Sequence, residues 1–333
     1  MARMERQLAR MYQEARKELS LKWKVYMKEA QGSIQQTEDD LKAAMESNNP
    51  AAVDALSRDL MRQKQELTIG NDRYEGLVRE TTIELARLNQ ASMDYANKQA
   101  VNSYLGGFNE EYKELKDAGI RFDLVDKATV ERRAKAGDIR LPQKKLDVDK
   151  DRQWNTKVIN NEITQGIIQG ESMDTIAERI FPEISKGTDL MDADVVKKNM
   201  NSSIRTARTL VNAAENEGRY DRAVEMEEDG IITQKVWSAV GDQNTRDLHL
   251  EMDGQTVDVD EPFIDADGNE MMFPGDSSMG ADPGTLYNCR CSYETKVVGF
   301  RREDGSINYV DDRNFSREAH EWQIEREKER RNG

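Results

Sequence analysis

Apolar side chains recur along residues 4–47 at Leu8, Met11, Ala15, Leu19, Trp23, Met27, Ala30, Ile34, Leu41 and Met45. The steps are mostly three, four or seven, which is the stripe of one long helix. Asn48-Asn49-Pro50 breaks the stripe. Asn49 suits an N-cap and Pro50 the first helical position, where a missing N–H costs nothing. A second stripe follows through Val53, Leu56, Leu60, Leu67, Tyr74, Leu77, Thr81, Leu85 and Leu88. Two stripes joined by a short breaker predict a long antiparallel helical hairpin over residues 1–107. At 1.5 Å per residue each arm would be roughly 60–70 Å long. Gly106-Gly107 is expected to end or kink the second arm. Such a hairpin reads first as a solvated coiled-coil spacer and second as an arm inserted between partner subunits.

Residues 108–151 read as a mixed connector. Asp126 is a plausible N-cap for a short helix through Ala136, stopped by Gly137. Leu141-Pro142 and the charged run over 144–151 look like a solvated linker. Residues 152–229 return to helical spacing and predict a central bundle. Trp154, Val158, Ile159, Ile163, Ile167 and Ile168 form one face, ended by Gly170. Ser172 can cap a helix carrying Met173, Ile176, Ala177 and Ile180, and Pro182 breaks it. A further helix from Asp194 to Met226 turns Val196, Met200, Ile204, Ala207, Leu210, Val211 and Ala214 inward. Arg205 and Arg208 on that helix are expected to pair with acids of the C-terminal region. From Gly230 the pattern changes to short β-type runs at 233–239, 256–259 and 291–298, separated by Gly, Pro and Asp turns. Residues 230–300 therefore predict a small α+β module. The tail, 301–333, adds a hairpin around Asp304-Gly305 and a terminal helix over 315–331 with Trp322 as its largest apolar residue. The fold class is mainly α with a C-terminal α+β module.

Composition agrees with that division. Charged residues make up 34% and aromatics 6% of the 333 residues, with mean hydropathy −0.86. This suits long exposed helices better than one large core. The net charge of −15 is concentrated in residues 226–300, which hold 16 acids and only four bases, Lys235, Arg246, Arg290 and Lys296. That quarter of the chain repels phosphates, so DNA contact, if made, belongs to the helical part. No run approaches the ~18 apolar residues of a membrane helix. The charged start, Met1 to Arg6, offers no secretory h-region. Two Cys separated by one residue do not suggest a disulfide scaffold, and synthesis in a reducing cytoplasm is expected.

The scarce chemistry clusters. Of two His and two Cys in the chain, His249, Cys289 and Cys291 fall in the window 237–291. Asp242-x-x-Thr245-Arg246 fits a helix start capped by Asp242, with His249 one turn past Thr245. Asp253-Gly254 ends that helix. On a strand, Cys289 and Cys291 point to one face and Arg290 to the other. His249 with two same-face thiols is three quarters of a Zn²⁺ ligand set, with Asp242, Asp253 and His320 as candidates for the fourth place. The spacing is not that of common zinc motifs. The plainer alternative, preferred on sequence alone, has His249 bonded to a carboxylate or backbone group and the thiols packed as small buried hydrophobes. A Cys nucleophile with His249 as base is a third option, which nothing in the spacing requires. Asp265 to Glu270 echoes part of a Ca²⁺ loop but lacks its register and reads better as a tight acidic turn.

Taken together, Trp237, Asp242, Thr245, Arg246, His249, Asp253-Gly254, Pro262-Phe263, Pro274-Gly275 and Asn288-Cys289-Arg290-Cys291 resemble the C-terminal signature of the phage Mu F-like family of minor head proteins, also called phage head morphogenesis proteins. Arg205 to Thr209, Asn212 to Ala214 and Gly166-Ile167-Ile168-x-Gly170 extend the resemblance over roughly residues 150–295. It implies a structural, non-enzymatic virion component of a tailed phage, made in the host cytoplasm. It implies a place at the portal vertex or in the capsid interior, with portal and capsid proteins as partners and packaged DNA as a further contact of the helical part. The role implied is head assembly or DNA delivery, with no membrane partner before infection. The rivals are a Cys/His-dependent hydrolase or transferase carried in the virion and a DNA-binding virion protein. Some relatives carry an enzyme domain after the signature, and only about 40 residues follow it here. No cofactor is required by this reading beyond the zinc alternative. Asp242, Thr245, Arg246, His249, Asp253, Asn288, Cys289 and Cys291 are expected to form one packed polar cluster that shapes the module.

Overall fold

The computed structural model describes residues 2–110, 115–116, 120, 124–180, 194–311 and 313–332. The expected break at Pro182 lies outside them. The described residues are mainly helical, with a small antiparallel sheet in the C-terminal part. Residues Ala2–Met93 with Lys145–Ile204 form one compact unit, and Asp94–Lys144 with Arg205–Gly333 form a second.

In the first unit, helix α1 spans Ala2–Glu46 and α2 spans Pro50–Leu67. Asn48 takes a positive φ of 56° at the turn, and the Asn49 side chain accepts from Ala52 N. The chain then returns along α1: Thr37 bonds Gln63, Trp23 Nε1 donates to Thr81 Oγ1 at 2.9 Å, and the Tyr12 hydroxyl donates to Asn89. These pairings run antiparallel, as the two stripes predict. The returning arm is not continuous, however. It breaks at residues 68–71 and resumes as α3, Asp72–Glu110. Gly70 (φ 81°) makes the turn, and Asn71 Oδ1 accepts the N–H groups of Arg73 and Tyr74. Periodicity passes over this break because Leu67 and Tyr74 are seven apart, which keeps the stripe in phase across it.

Helix α4, Lys127–Ala136, is capped by Asp126 and stopped by Gly137 (φ 86°) and belongs to the second unit. Helix α5, Val148–Ile168, begins four residues before the sequence pattern suggests. Asp147 caps it through Lys150 N, and Asp149 and Asp151 sit in its first turn, where carboxylates favour the positive end of the helix dipole. The end of the charged run is thus a helix start rather than linker. Helix α6 spans Met173–Ile180, with Ser172 Oγ accepting Thr175 N, and α7 spans Val195–Glu228, with Asp194 Oδ1 accepting Lys197 N. The first unit's core joins Tyr12, Leu19, Trp23, Met27 and Ile34 of α1 to Leu85 and Leu88 of α3 and to Ile159, Ile163, Met173, Ile176 and Val196. Asn89, Asn155 and Asn199 are buried beside it and bond one another.

In the second unit, α3 continues past Gly106-Gly107 instead of ending there. The glycine is present for a different reason. A Cβ on Gly107 would stand 2.1 Å from the Glu215 carbonyl oxygen of α7, and one on Gly218 would stand 2.2 Å from that of Tyr104. The two helices cross backbone to backbone, and only glycine permits that approach. Past α7 come strands β1 (Ile231–Ser238), β2 (Thr256–Asp258), β3 (Phe263–Ile264) and β4 (Glu270–Met271), with the one-turn helix α8 (Asp247–Glu251) between β1 and β2. Helix α9 (Pro283–Leu286), β5 (Ser292–Arg301), β6 (Ile307–Tyr309) and α10 (Phe315–Asn332) complete the chain. The main sheet has the order β2-β1-β5-β6, all antiparallel, and β3-β4 form a separate two-stranded hairpin. One face of this lobe packs Trp237, Met252, Phe263, Met271, Phe273, Leu286 and Tyr293 around both cysteines. The other end buries Phe300, Ile231 and Met226 under Ala319 and Trp322 of α10.

Candidate functional site

The loops on either side of β1 and β5 converge on a small buried centre. His249 lies on α8, the one polar residue of that helix turned inward at 2% exposure. Cys289 and Cys291 stand just before β5, in a coil rather than on the strand the alternation suggests. Asn288 explains the coil. Its φ of 60° puts the backbone in the left-handed region, which Asn tolerates better than most residues. The thiols nevertheless share a side, and both meet one ring nitrogen. His249 Nδ1 is 3.6 Å from Cys289 Sγ and 3.5 Å from Cys291 Sγ. The Cys291 N–H donates to Cys289 Sγ at 3.4 Å, and the Val240 N–H reaches the Cys291 sulfur. Trp237 meets the imidazole edge-on at 5.6 Å between centroids.

The imidazole therefore faces sulfur on one side. Among the described residues its Nε2 has no partner, and no carboxylate or backbone group takes the place that sequence reasoning assigned to one. The two thiols are electrostatically unequal. The hydrogen bond from Cys289 and the nearby His249 draw the Cys291 thiol below its ordinary range, while that same partnership and burial push Cys289 up.

Arg290, between the cysteines, turns away from them and grips Asp242 with both guanidinium nitrogens, at 2.6 and 2.5 Å. Asp242 does not cap a helix, since α8 begins five residues later with no side-chain cap. Its carboxylate instead organises a turn, accepting Asn244 N and the Thr245 hydroxyl. The Arg290 pairing holds this carboxyl far below the usual carboxylate range. Arg246 donates to the Tyr287 carbonyl, and Asp253 accepts Ala239 N at 2.8 Å. The eight residues marked in the sequence thus divide. His249, Cys289 and Cys291 form the centre, while Asp242, Thr245, Arg246, Asp253 and Asn288 tie together the loops that carry it.

Helix α7 supplies the floor. Arg208 Nη1 donates to Asn288 Oδ1 at 2.6 Å, and the Thr209 hydroxyl accepts Asn288 N at 2.8 Å. Asn212 and Asn216, one turn apart, both donate to the Cys291 carbonyl, and Asn216 also donates to that of Pro274. The Asn288 side-chain amide is thus one partner of Arg208. Asn216 and Lys235 were not singled out from the sequence. Lys235 is fully buried on β1, where Nζ donates to the Glu261 and Met272 carbonyls and lies 5.1 and 5.2 Å from the ring centres of Tyr220 and Phe263. Burial pulls its pKa down to about 8. The signal for it was in the alternation: Ile231, Thr233, Lys235 and Trp237 occupy the inward positions of one strand.

The loop ties explain why polar residues so far apart in the chain recur as one signature. The family described as Phage Mu protein F like protein matches residues 157–294. Over this segment the chain resembles the Mu F-like family. The Mu F-like segment opens on α5 and closes on β5, so it contains the buried centre and the stretch of α7 beneath it. Minor head protein GP7 of Bacillus phage SPP1 is 30% identical over 164 residues, covering 46% of this chain and 48% of that protein. NAD(+)--arginine ADP-ribosyltransferase EFV of Enterococcus faecalis is 27% identical over 168 residues, covering 50% of this chain and 31% of that protein. Uncharacterized protein YqbB of Bacillus subtilis is 23% identical over 212 residues, covering 59% and 65%. The chain thus spans about half or less of the first two relatives. No solved structure matches it.

Proposed function

We propose that this chain is a structural minor head protein of a tailed phage, associated with the portal vertex and acting in head assembly or DNA delivery. The observation that carries this reading is the Mu F-like match together with the similarity to a protein named as a minor head protein. The geometry is in keeping with it. The motif side chains are spent on one another and on backbone carbonyls, which builds a rigid lobe from short strands and loops. The partners proposed are portal and capsid proteins, and the location is the virion. No helix among the described residues is long and apolar enough to cross a membrane.

The rival with an observation in its favour is a Cys/His-dependent hydrolase or transferase. It has a relative named as a transferase, and a Cys291 thiol whose proton is held weakly beside an imidazole. Against it, the thiols are 3% and 2% exposed, and a nucleophile must reach its substrate. Virions of the encoding phage, compared with DNA-free ghosts by quantitative mass spectrometry after cross-linking, test the head-protein reading. The expected result is the chain in purified particles, far below the major capsid protein in amount and cross-linked to portal. Its absence from particles would overturn the proposal.

A further inference from the structure

We propose that His249 Nδ1, Cys289 Sγ and Cys291 Sγ bind a Zn²⁺ ion. The distances carry the proposal. With Zn–S about 2.3 Å and Zn–N about 2.0–2.1 Å, the nitrogen–sulfur edges of a tetrahedral site are about 3.5–3.6 Å. The two edges here are 3.6 and 3.5 Å, and the three donor atoms all lie within 4.8 Å of one another. Both sulfurs approach the same nitrogen, Nδ1. A neutral imidazole nitrogen that accepts has one lone pair, and one hydrogen bond uses it. A metal between the three donors satisfies all of them at once.

Charge points the same way. Two thiolates and one divalent cation make a neutral unit, which a buried site tolerates far better than a lone thiolate. Binding takes one proton from each thiol that still holds it and releases it to solvent. The N–H groups of Cys291 and Val240 already point at the sulfurs, the outer-shell contacts that stabilise metal-bound thiolates. Among the described residues no fourth His, Cys, Asp or Glu joins the group. Asp242 is held by Arg290, Asp253 by Ala239 N, and His320 is exposed on α10. The fourth corner is left to a water.

The ion would link α8 to the start of β5. Three of the lobe's strands, β2, β3 and β4, have only two or three residues, and small lobes of this kind gain most from a cross-link. The site does not depend on a role in a phage head.

The full-length chain, purified reduced after expression with zinc in the medium, tests this by elemental analysis. One zinc per chain is expected. Cobalt exchanged into the site should give a thiolate-to-cobalt charge-transfer band and the strong visible bands of a tetrahedral ion. Chelation should lower Tm, and added Zn²⁺ should restore it. Cys289→Ser and Cys291→Ser should each weaken metal binding at least tenfold while circular dichroism stays that of a folded chain. Should a variant fail to fold, the cobalt spectrum and the reversible Tm shift of the unsubstituted chain still decide. A folded, reduced chain that takes up neither ion in excess metal would overturn the site. So would undiminished binding by the Cys289→Ser/Cys291→Ser double variant.

Discussion

Asp242 ties two loops at once, with Arg290 on both oxygens and the 242–245 turn hung from one of them. Its pKa is depressed first by the Arg290 hydrogen bonds. An acid whose folded pKa lies below its unfolded value, about 3.9 for Asp, adds stability that is present above that value. The contribution is lost as pH falls toward the folded one. Melting curves between about pH 5 and pH 3 should therefore slope more steeply for the parent chain than for Asp242→Asn. Parallel slopes would mean that the pair is screened and contributes nothing. At this scale the sequence was a good guide to which residues matter and a poor one to their roles. Scarcity singled out His249, Cys289 and Cys291. It could not say that Asp242 would bind Arg290 instead of capping a helix, because that pairing joins residues 48 apart.

Among the elements, the crossing of α3 and α7 has the sharpest consequence. Gly106 and Gly107 are adjacent and helical, yet only Gly107 faces the other helix. A Cβ at 106 meets nothing within 4 Å, so Gly106→Ala should stabilise by about 0.5–1 kcal/mol through backbone entropy alone. Gly107→Ala gains the same term but drives a methyl onto a backbone carbonyl, and overpacking costs typically 1–3 kcal/mol or more. Its net effect should be destabilising by about 2 kcal/mol. Denaturant midpoints of the two variants should move in opposite directions; a shift of like sign would mean that the helices can part at no cost. From sequence alone the pair reads as a helix stop, because glycine's local preference is all that periodicity reports. The break at 68–71 was missed for the converse reason, a heptad step that hides a turn. Stripes, caps and the stops at Gly137 and Gly170 were readable because each rests on neighbours in the chain, whereas a crossing rests on another helix.

For the molecule as a whole, what matters is how far the N-terminal helices depend on residues distant in sequence. As a pattern, residues 1–107 look like a free-standing hairpin. Yet Trp23, fully buried, donates to Thr81 and shares one core with Ile159, Ile163 and Ile176, more than 130 residues away. A stripe reports that a face is buried, never against what. Trp23→Ala should cost about 3–5 kcal/mol, as large-to-small core changes do. Local openings follow cooperative units rather than chain order. Amide exchange should then quicken across 2–93 and 148–180 together. Residues 231–301, in the other compact unit, should keep their protection. Quickening confined to 2–93 would instead identify the hairpin as an independent arm, free to serve as a spacer or to insert between partner subunits.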